Sequence, residues 1–178
     1  MGRSRRVRAA CGVAFAACLL ALTGASATAT PHAPGVRDVD WHNATFEVPA
    51  VGPCPQQVVD FTDGAARLPE HVYRFTPERE ILFTDVTGEG VEDALMLVEC
   101  GPPNSEYSRA LVAMTADPDV RPLGTVVSPP VWTQVPDAFA VTPDLTVDVT
   151  ILDYETDQTH AEKYRWASSA QAFVRVDG

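Results

Sequence analysis

Residues Asp85 to Asp93 form the stretch whose residue types and spacing most clearly suggest specific chemistry. Their pattern is D-x-T-G-E-G-x-x-D, with glycines at positions 4 and 6 of the stretch. A calcium loop places oxygen ligands at alternate positions from 1 to 9 and needs a glycine at position 6 for its sharp turn. On this pattern the predicted calcium ligands are Asp85, Thr87, Glu89, the carbonyl oxygen of Val91, and Asp93.

The same stretch has a second interpretation, a glycine-rich hairpin turn that holds no ion. Asp85 would then make an Asx-type turn, and the remaining acids would be solvated. Thr87 stands where a calcium loop usually carries Asp or Asn, and Glu89 is one methylene longer than Asp. An EF-hand is excluded, because its flanking helices and the Glu at its twelfth position are both missing. The residues leave the turn and the calcium loop both open.

The elements around this stretch are apolar and point to a central hairpin. Ile81-Leu82-Phe83 precedes it, and Glu92 to Cys100 follows it as an extended segment. In that second segment Leu95 and Leu97 fall on one face, and Ala94, Met96 and Val98 fall on the other. A strand that is apolar on both faces is typical of the covered interior of a sheet.

The remaining chain is organised as short strands. Leu145 to Ile151 alternates apolar and polar residues with strict period two, which predicts a strand with one face in water. Prolines are frequent, and no window shows a long helical stripe. The sequence therefore predicts an all-β, mainly antiparallel fold, built as one sandwich, barrel or meander of about ten short strands.

The N-terminus carries the pattern of a secretory signal peptide. Four arginines precede a short apolar run, and small residues follow it up to Ala29. The predicted organisation is a signal peptide at 1–29, a flexible lead-in at 30–39 and one β-rich domain at 40–178, with cleavage after Ala27 or Ala29. A membrane anchor and a lipid anchor on Cys18 are the alternatives, but the apolar run is shorter than the ~20 residues of a spanning helix. We expect a secreted, extracellular protein with no transmembrane segment in its mature chain.

The charge of the mature chain limits its partners, and its cysteine content predicts a disulfide. Cleavage removes four arginines and no acid, so 9 basic and 24 acidic side chains leave a net charge of −15. Such a surface repels nucleic acid and anionic lipid. The partner stays open, and an extracellular protein and a glycan are the candidates. Two cysteines also leave with the leader. Cys54 and Cys100 remain, and a pair of cysteines in an exported chain predicts a disulfide.

Enzymatic signatures are weak. The sequence has no G-x-S-x-G elbow, no S-x-x-K motif and no histidines at metal-ligand spacing. Trp132 and Tyr154 are loop aromatics that could stack on a ligand or pack onto the core. A non-enzymatic binding or structural module is the leading expectation. The alternatives are a small hydrolase that uses acids near Asp85 or Asp93, and an extracellular inhibitor that uses the proline-bracketed loop Ser128 to Pro136.

The Asp85-to-Asp93 stretch resembles one family motif. Its strand-loop-strand setting is similar to the D-x-[ND]-G-D-G-x-x-D loops of FG-GAP and VCBS repeats in integrin-like β-propellers. The resemblance covers nine residues and their flanks, and it implies calcium binding.

The mature chain also resembles small actinobacterial secreted proteins of uncharacterised function, at positions spread along its length. The resemblance depends on Asp40-Trp41, Cys54-Pro55, the Phe61-to-Gly64 turn, the Asp85-to-Asp93 loop leading to Cys100, and the closing Tyr164-to-Val174 hairpin. This second resemblance implies export but no activity.

Overall fold

The computed structural model describes residues 35–77 and 79–177, which form twelve β-strands and two 3₁₀ helices. All strand pairs are antiparallel, in sheets of two, four and six strands, so the predicted all-β class is confirmed. The predicted signal peptide and residues 30–34 of the predicted lead-in lie outside the described residues. Within the described residues, no helix is long and apolar enough to span a membrane.

Both 3₁₀ helices precede the strands in chain order. The 3₁₀ helices are Val36–Asp38 and Trp41–Asn43, and the strands are β1 Thr45–Val48, β2 Gln57–Asp60, β3 Ala65–Arg67, β4 Val72–Phe75, β5 Leu82–Thr84, β6 Asp93–Gly101, β7 Ser108–Thr115, β8 Arg121–Val127, β9 Gln134–Val141, β10 Val147–Asp153, β11 Gln158–Ala167 and β12 Ala172–Arg175.

The six-stranded sheet has the order β3-β4-β6-β7-β8, and β5 pairs with the first residues of β6. All nine residues of β6 are buried, which confirms the prediction of a central, covered strand. Loop 85–92 connects β5 to β6, so the predicted central hairpin is also confirmed. Pro122 lies on β8 at the edge of this sheet, where its missing N–H does not interrupt the pairing of an interior strand.

A row of charges crosses three strands of this sheet. Arg74 on β4, Glu99 on β6 and Arg109 on β7 are direct neighbours in the pairing register. Glu99 is 5 % exposed, and its carboxylate accepts from the Arg74 Nε at 2.5 Å and from the Arg109 Nη2 at 2.7 Å. The alternating pattern of β6 places this carboxylate beside the apolar core, where it needs both guanidinium partners.

One face of the central sheet packs against the N-terminal segment. Trp41 and Phe46 meet edge to face with ring centroids 5.3 Å apart, and both are buried, as predicted. Val36 is 2 % exposed and joins the same core, so ordered packing begins inside the segment expected to be a flexible lead-in. The β6 and β7 side chains on this face are Ala94, Met96, Val98, Cys100, Ala110, Val112 and Met114.

The opposite face packs against the four-stranded sheet, whose order is β12-β11-β10-β9. Leu95 and Leu97 of β6 meet Val147, Val149 and Ile151 of β10 in this second core. Those β10 residues alternate with half-buried polar residues, which confirms the predicted strand with one wetter face. The described residues therefore form three layers, with β6 and β7 in the middle layer.

Strand β9 is longer than the short strand, Ala138 to Val141, that the sequence predicts. It begins at Gln134 and includes Pro136. The pairing of β9 with β10 shifts register between Thr150 and Ile151, and Pro136 lies opposite Ile151. A proline is tolerated at such a bulge, so in this protein it does not end the strand.

The predicted disulfide between Cys54 and Cys100 is confirmed. Both cysteines are almost fully buried, and their Cα atoms are 6.3 Å apart. The bond ties the loop between β1 and β2 to the end of β6, and 46 positions separate the two cysteines.

Candidate functional site

The Asp85-to-Asp93 loop is a tight turn organised by one carboxylate. The Asp85 Oδ1 accepts from the backbone N–H groups of Thr87 at 3.1 Å and Gly88 at 2.7 Å, and the Oδ2 accepts from Gly90 N–H at 2.7 Å. Partial burial raises the pKa of Asp85, but the hydrogen bonds from Gly90, Gly88 and Thr87 outweigh it and place that pKa below its usual range. Gly88 and Gly90 both have φ of +81°, a conformation that favours glycine.

Asp93 closes the loop from the other end. It is 2 % exposed, and its Oδ2 accepts from the backbone N–H of Val86 at 3.1 Å. Burial, together with the neighbouring negative charge of Asp85, raises the pKa of Asp93 to about 6, against hydrogen bonds from Val86 and Thr115. The two carboxylates therefore differ: Asp85 ionises more readily than an ordinary aspartate, and Asp93 ionises less readily.

The other predicted calcium ligands are placed differently. The Thr87 hydroxyl donates to the Asp85 Oδ1 at 3.2 Å, and Glu89 and Val91 are exposed. Within residues 35–77 and 79–177, no group of three His, Cys, Asp or Glu side chains is gathered closely enough to hold a metal ion. Calcium at this loop stays a prediction.

A contact that the sequence did not predict fixes the outer side of the loop. The Arg37 guanidinium donates to both oxygens of Glu92, from Nε at 2.6 Å and from Nη2 at 2.8 Å. The same guanidinium lies 4.9 Å from the ring centroid of Phe83. Fifty-five positions separate the two partners of this ion pair, so no local pattern could have indicated it.

A more accessible candidate site surrounds Trp132, between β8 and β9. The backbone turns at Val131, where Gln134 N–H donates to the Val131 carbonyl at 2.9 Å. Thr133 is buried, and its carbonyl accepts from Tyr154 N–H at 2.9 Å, which anchors the turn to the neighbouring hairpin. Trp132 is nevertheless 60 % exposed. Trp132 therefore does not pack onto the core, and its indole ring is free to stack on a ligand.

Beside Trp132 lies a groove of about 550 Å³, which we call the Trp132 groove. The Ser128 Oγ accepts from Gly52 N–H at 2.9 Å, and the Thr125 Oγ1 donates to the Ala50 carbonyl at 2.7 Å, so distant loops are bonded across it. Gly52 has φ of +53°, and a Cβ there would lie 2.3 Å from the Ser108 side chain. The residues that line the groove are Ala50, Gly52, Pro53, Ser108, Thr125, Ser128, Pro129, Pro130 and Trp132. None of them carries an ionisable side chain.

A second cavity, of about 320 Å³, shares Ser128, Pro129 and Pro130 with the Trp132 groove. It holds the carboxylate of Glu162, which accepts from the Tyr164 hydroxyl and from the Arg175 Nη1, each at 2.5 Å. Burial and the Glu162 carboxylate raise the pKa of Tyr164 above its usual value, so its hydroxyl stays protonated.

A third cavity, of about 780 Å³, lies between the N-terminal 3₁₀ segment and the β4–β5 connection. Two of its aromatic residues, Trp41 and Phe75, are 2 % and 8 % exposed, and the His42 ring packs against Phe75 at 4.6 Å between centroids. Those rings are committed to the core and offer little face to a ligand. One wall includes the neighbours of Glu78, a residue outside the described part of the chain.

Comparisons with protein-family models, with curated proteins and with solved structures found no match to the chain.

Proposed function

We propose that the protein is an exported, non-enzymatic binding module that holds a neutral glycan in the Trp132 groove. The single observation that carries this proposal is the exposure of Trp132, 60 %, at the side of a groove without ionisable side chains. A folded chain gains free energy by burying a side chain of this size, so a tryptophan held in solvent on an anchored turn favours a contact surface.

The chemistry of the groove favours a sugar over other ligands. A pyranose ring offers an apolar C–H face that can lie on an indole, and hydroxyl groups around its edge that can both donate and accept. The Trp132 groove supplies the matching parts, an indole and the hydroxyls of Ser108, Thr125 and Ser128. An anionic ligand would be repelled by a mature charge of −15, and a cationic peptide would find no carboxylate in the groove.

Export is supported by two independent features. The first 29 residues have the composition of a signal peptide, and the buried Cys54–Cys100 disulfide suits an oxidising compartment outside the cytoplasm. A module that works there needs such a covalent tie more than an intracellular protein does.

We also propose calcium as a stabilising ion at the Asp85-to-Asp93 loop. Asp93 is buried, and its ionised form is opposed by the charge of Asp85. A divalent cation between these carboxylates would remove that cost. The hydrogen bonds that Asp85 accepts from its own loop would occupy only part of its acceptor capacity.

A hydrolase at the same loop receives less support. Such an enzyme needs its acids to converge in a cleft that a substrate can enter. Both oxygens of Asp85 accept from loop N–H groups, and Asp93 is 2 % exposed.

The proposal is tested by co-sedimentation of the mature protein with insoluble cellulose, chitin, xylan and mannan. We expect the wild-type protein to pellet with at least one of these neutral polymers, and Trp132→Ala to lose about tenfold in affinity, as the loss of one desolvated aromatic contact predicts. Trp132→Phe should keep most of the binding because it keeps an aromatic face. Val131→Ala, on the same exposed turn, is the matched control and should bind like the wild type.

Two results would overturn the proposal. One is a wild-type protein that stays in the supernatant with every neutral polymer. The other is a Trp132→Ala protein that pellets as well as the wild type.

A further inference from the structure

We propose that the glycan site continues past Pro129 and Pro130 into a second subsite built around Glu162, so that the ligand is a chain of at least two sugar units. This inference depends on the proposed function, because it extends the same site. The Ser128-to-Pro130 segment lines both cavities, so a chain that leaves the Trp132 face along this segment reaches the second one.

Side chains with hydrogen bonds to their neighbours line the second cavity. Glu162 is 13 % exposed, with its Oε2 held by the Tyr164 hydroxyl at 2.5 Å and its Oε1 held by the Arg175 Nη1 at 2.5 Å. A carboxylate has about four acceptor positions, so the Oε2 can accept from a ligand hydroxyl as well. The Gln134 amide lines the same cavity, and its Nε2 donates to the Asp153 Oδ2 at 3.2 Å. Groups held in place in this way lose little conformational entropy when they bind a ligand.

The guanidinium that lines this cavity, Arg175, is already paired with two acids, which favours a neutral sugar over an anionic one at this position also. The Arg175 guanidinium lies between two acids, with its Nη1 at 2.5 Å from Glu162 and its Nε at 2.8 Å from Asp177. The His160 Nε2 lies 3.4 Å from the Glu162 Oε1. An anionic sugar would therefore meet a cation that is already paired on both sides. Tyr164 stays protonated and acts as a donor rather than as a nucleophile.

Chain-length dependence tests the inference. Isothermal titration of the mature protein would use β-1,4-linked oligomers of glucose, N-acetylglucosamine, xylose and mannose, from one to five units long. We expect affinity to rise about tenfold between one unit and three units, because only the longer chain reaches Glu162.

Variants separate the two subsites. Glu162→Gln should lower affinity for the trimer about fivefold, the cost of a lost charge-assisted hydrogen bond, and leave affinity for a single unit within about twofold. Arg175→Gln lies at a half-exposed position and serves as the second variant if Glu162→Gln folds poorly. Arg165→Gln is the matched control: the Arg165 side chain is about as exposed as that of Arg175 and is also paired with an acid, Asp144, but it lines neither cavity.

The outcomes distinguish this inference from the proposed function. Equal affinity for one unit and three units, or normal trimer binding by both Glu162→Gln and Arg175→Gln, would contradict the second subsite and leave the Trp132 site standing. If no oligomer binds and the insoluble polymers also fail, the proposed function is wrong and the second subsite fails with it.

Discussion

Asp93 is the residue whose chemistry departs furthest from what its position in the sequence indicates. A carboxylate at the end of a glycine-rich loop is usually solvated, but β6 carries this one into the sheet, where burial raises its pKa from 3.8 to about 6. Between these two values the folded state binds more protons than the unfolded state. Stability therefore falls as the pH rises through that window, and above it the cost is constant.

Replacement of Asp93 by Asn removes this cost. In EDTA at pH 7.5 we expect Asp93→Asn to raise the free energy of unfolding by about 2 kcal/mol and to flatten the decline in stability between pH 4 and 6. In millimolar calcium the order should reverse, because only the wild type keeps both carboxylates for the ion. Urea unfolding at several pH values, with calcium and with EDTA, measures both effects.

Asp85→Asn is the control for that experiment. The pKa of Asp85 lies below its usual range, so its charge contributes stability at neutral pH, and the substitution should destabilise the protein in EDTA. Wild-type stability that is the same in calcium and in EDTA would remove the calcium proposal. An Asp93→Asn protein that is less stable than the wild type in EDTA would contradict the cost assigned to the buried charge.

At the residue scale, the sequence predicts the hydrogen bonding of Asp85 better than the solvent exposure of Trp132. The Asx-type turn at Asp85 follows from its short side chain and the glycines after it, and the structure has that turn. The exposure of Trp132 does not follow from local sequence, because an aromatic residue between prolines can pack inward or outward with the same pattern. Its surroundings are decided by residues from three separate segments of the chain.

At the scale of elements, the charge row across β4, β6 and β7 is the feature with the largest expected effect. Glu99 is buried between Arg74 and the mostly buried Arg109. We expect Glu99→Gln to lower the free energy of unfolding by about 3 kcal/mol, because it removes the nearest counter-charge of the mostly buried Arg109 guanidinium and leaves it only Asp137, at 3.7 Å. Urea denaturation measures this change.

Glu92→Gln is the matched comparison for Glu99→Gln. Glu92 also pairs with an arginine through two short contacts, but both side chains of that pair are about half exposed. Its loss should change stability little. If the two variants were equally stable, the central-sheet network would have no greater role than a surface ion pair.

Periodicity predicted the interior strands but missed one edge strand, β3, and the first part of another, β9. The two-sided apolar pattern of β6 and the alternation of β10 are set by burial, so both could be predicted. Strand β3 has three residues, of which only Ala66 is buried, and it leaves no such pattern. The first part of β9 was not predicted, because whether Pro136 fits a bulge depends on the partner strand, which the local sequence does not show.

At the scale of the whole molecule, one disulfide joins two of the three layers. It links a loop of the N-terminal layer to β6 in the middle layer, and closure of a loop that spans 46 positions accounts for about 4 kcal/mol of stability in the chain-entropy model. The all-β class, the cysteine pairing and the covered central strand were accessible from the sequence. The Trp132 groove was not, because it forms where residues 50–53, 108 and 125–132 meet.

The glycan-binding account depends on which tryptophan meets the ligand, and the chain has three. Trp41 is buried, with its indole N–H donating to the Val36 carbonyl at 2.8 Å, and Trp166 packs edge-on against Phe173 at 5.2 Å between centroids. Trp132 alone of the three is exposed.

The most direct measurement is therefore the ¹H–¹⁵N spectrum of the three indole groups during titration with the β-1,4-linked trimers of glucose, N-acetylglucosamine, xylose and mannose. The account predicts that the Trp132 signal shifts in a saturable way with at least one trimer, while the Trp41 and Trp166 signals stay in place. A Trp132 signal that does not move, or a titration that moves only Trp41 or Trp166, would contradict it.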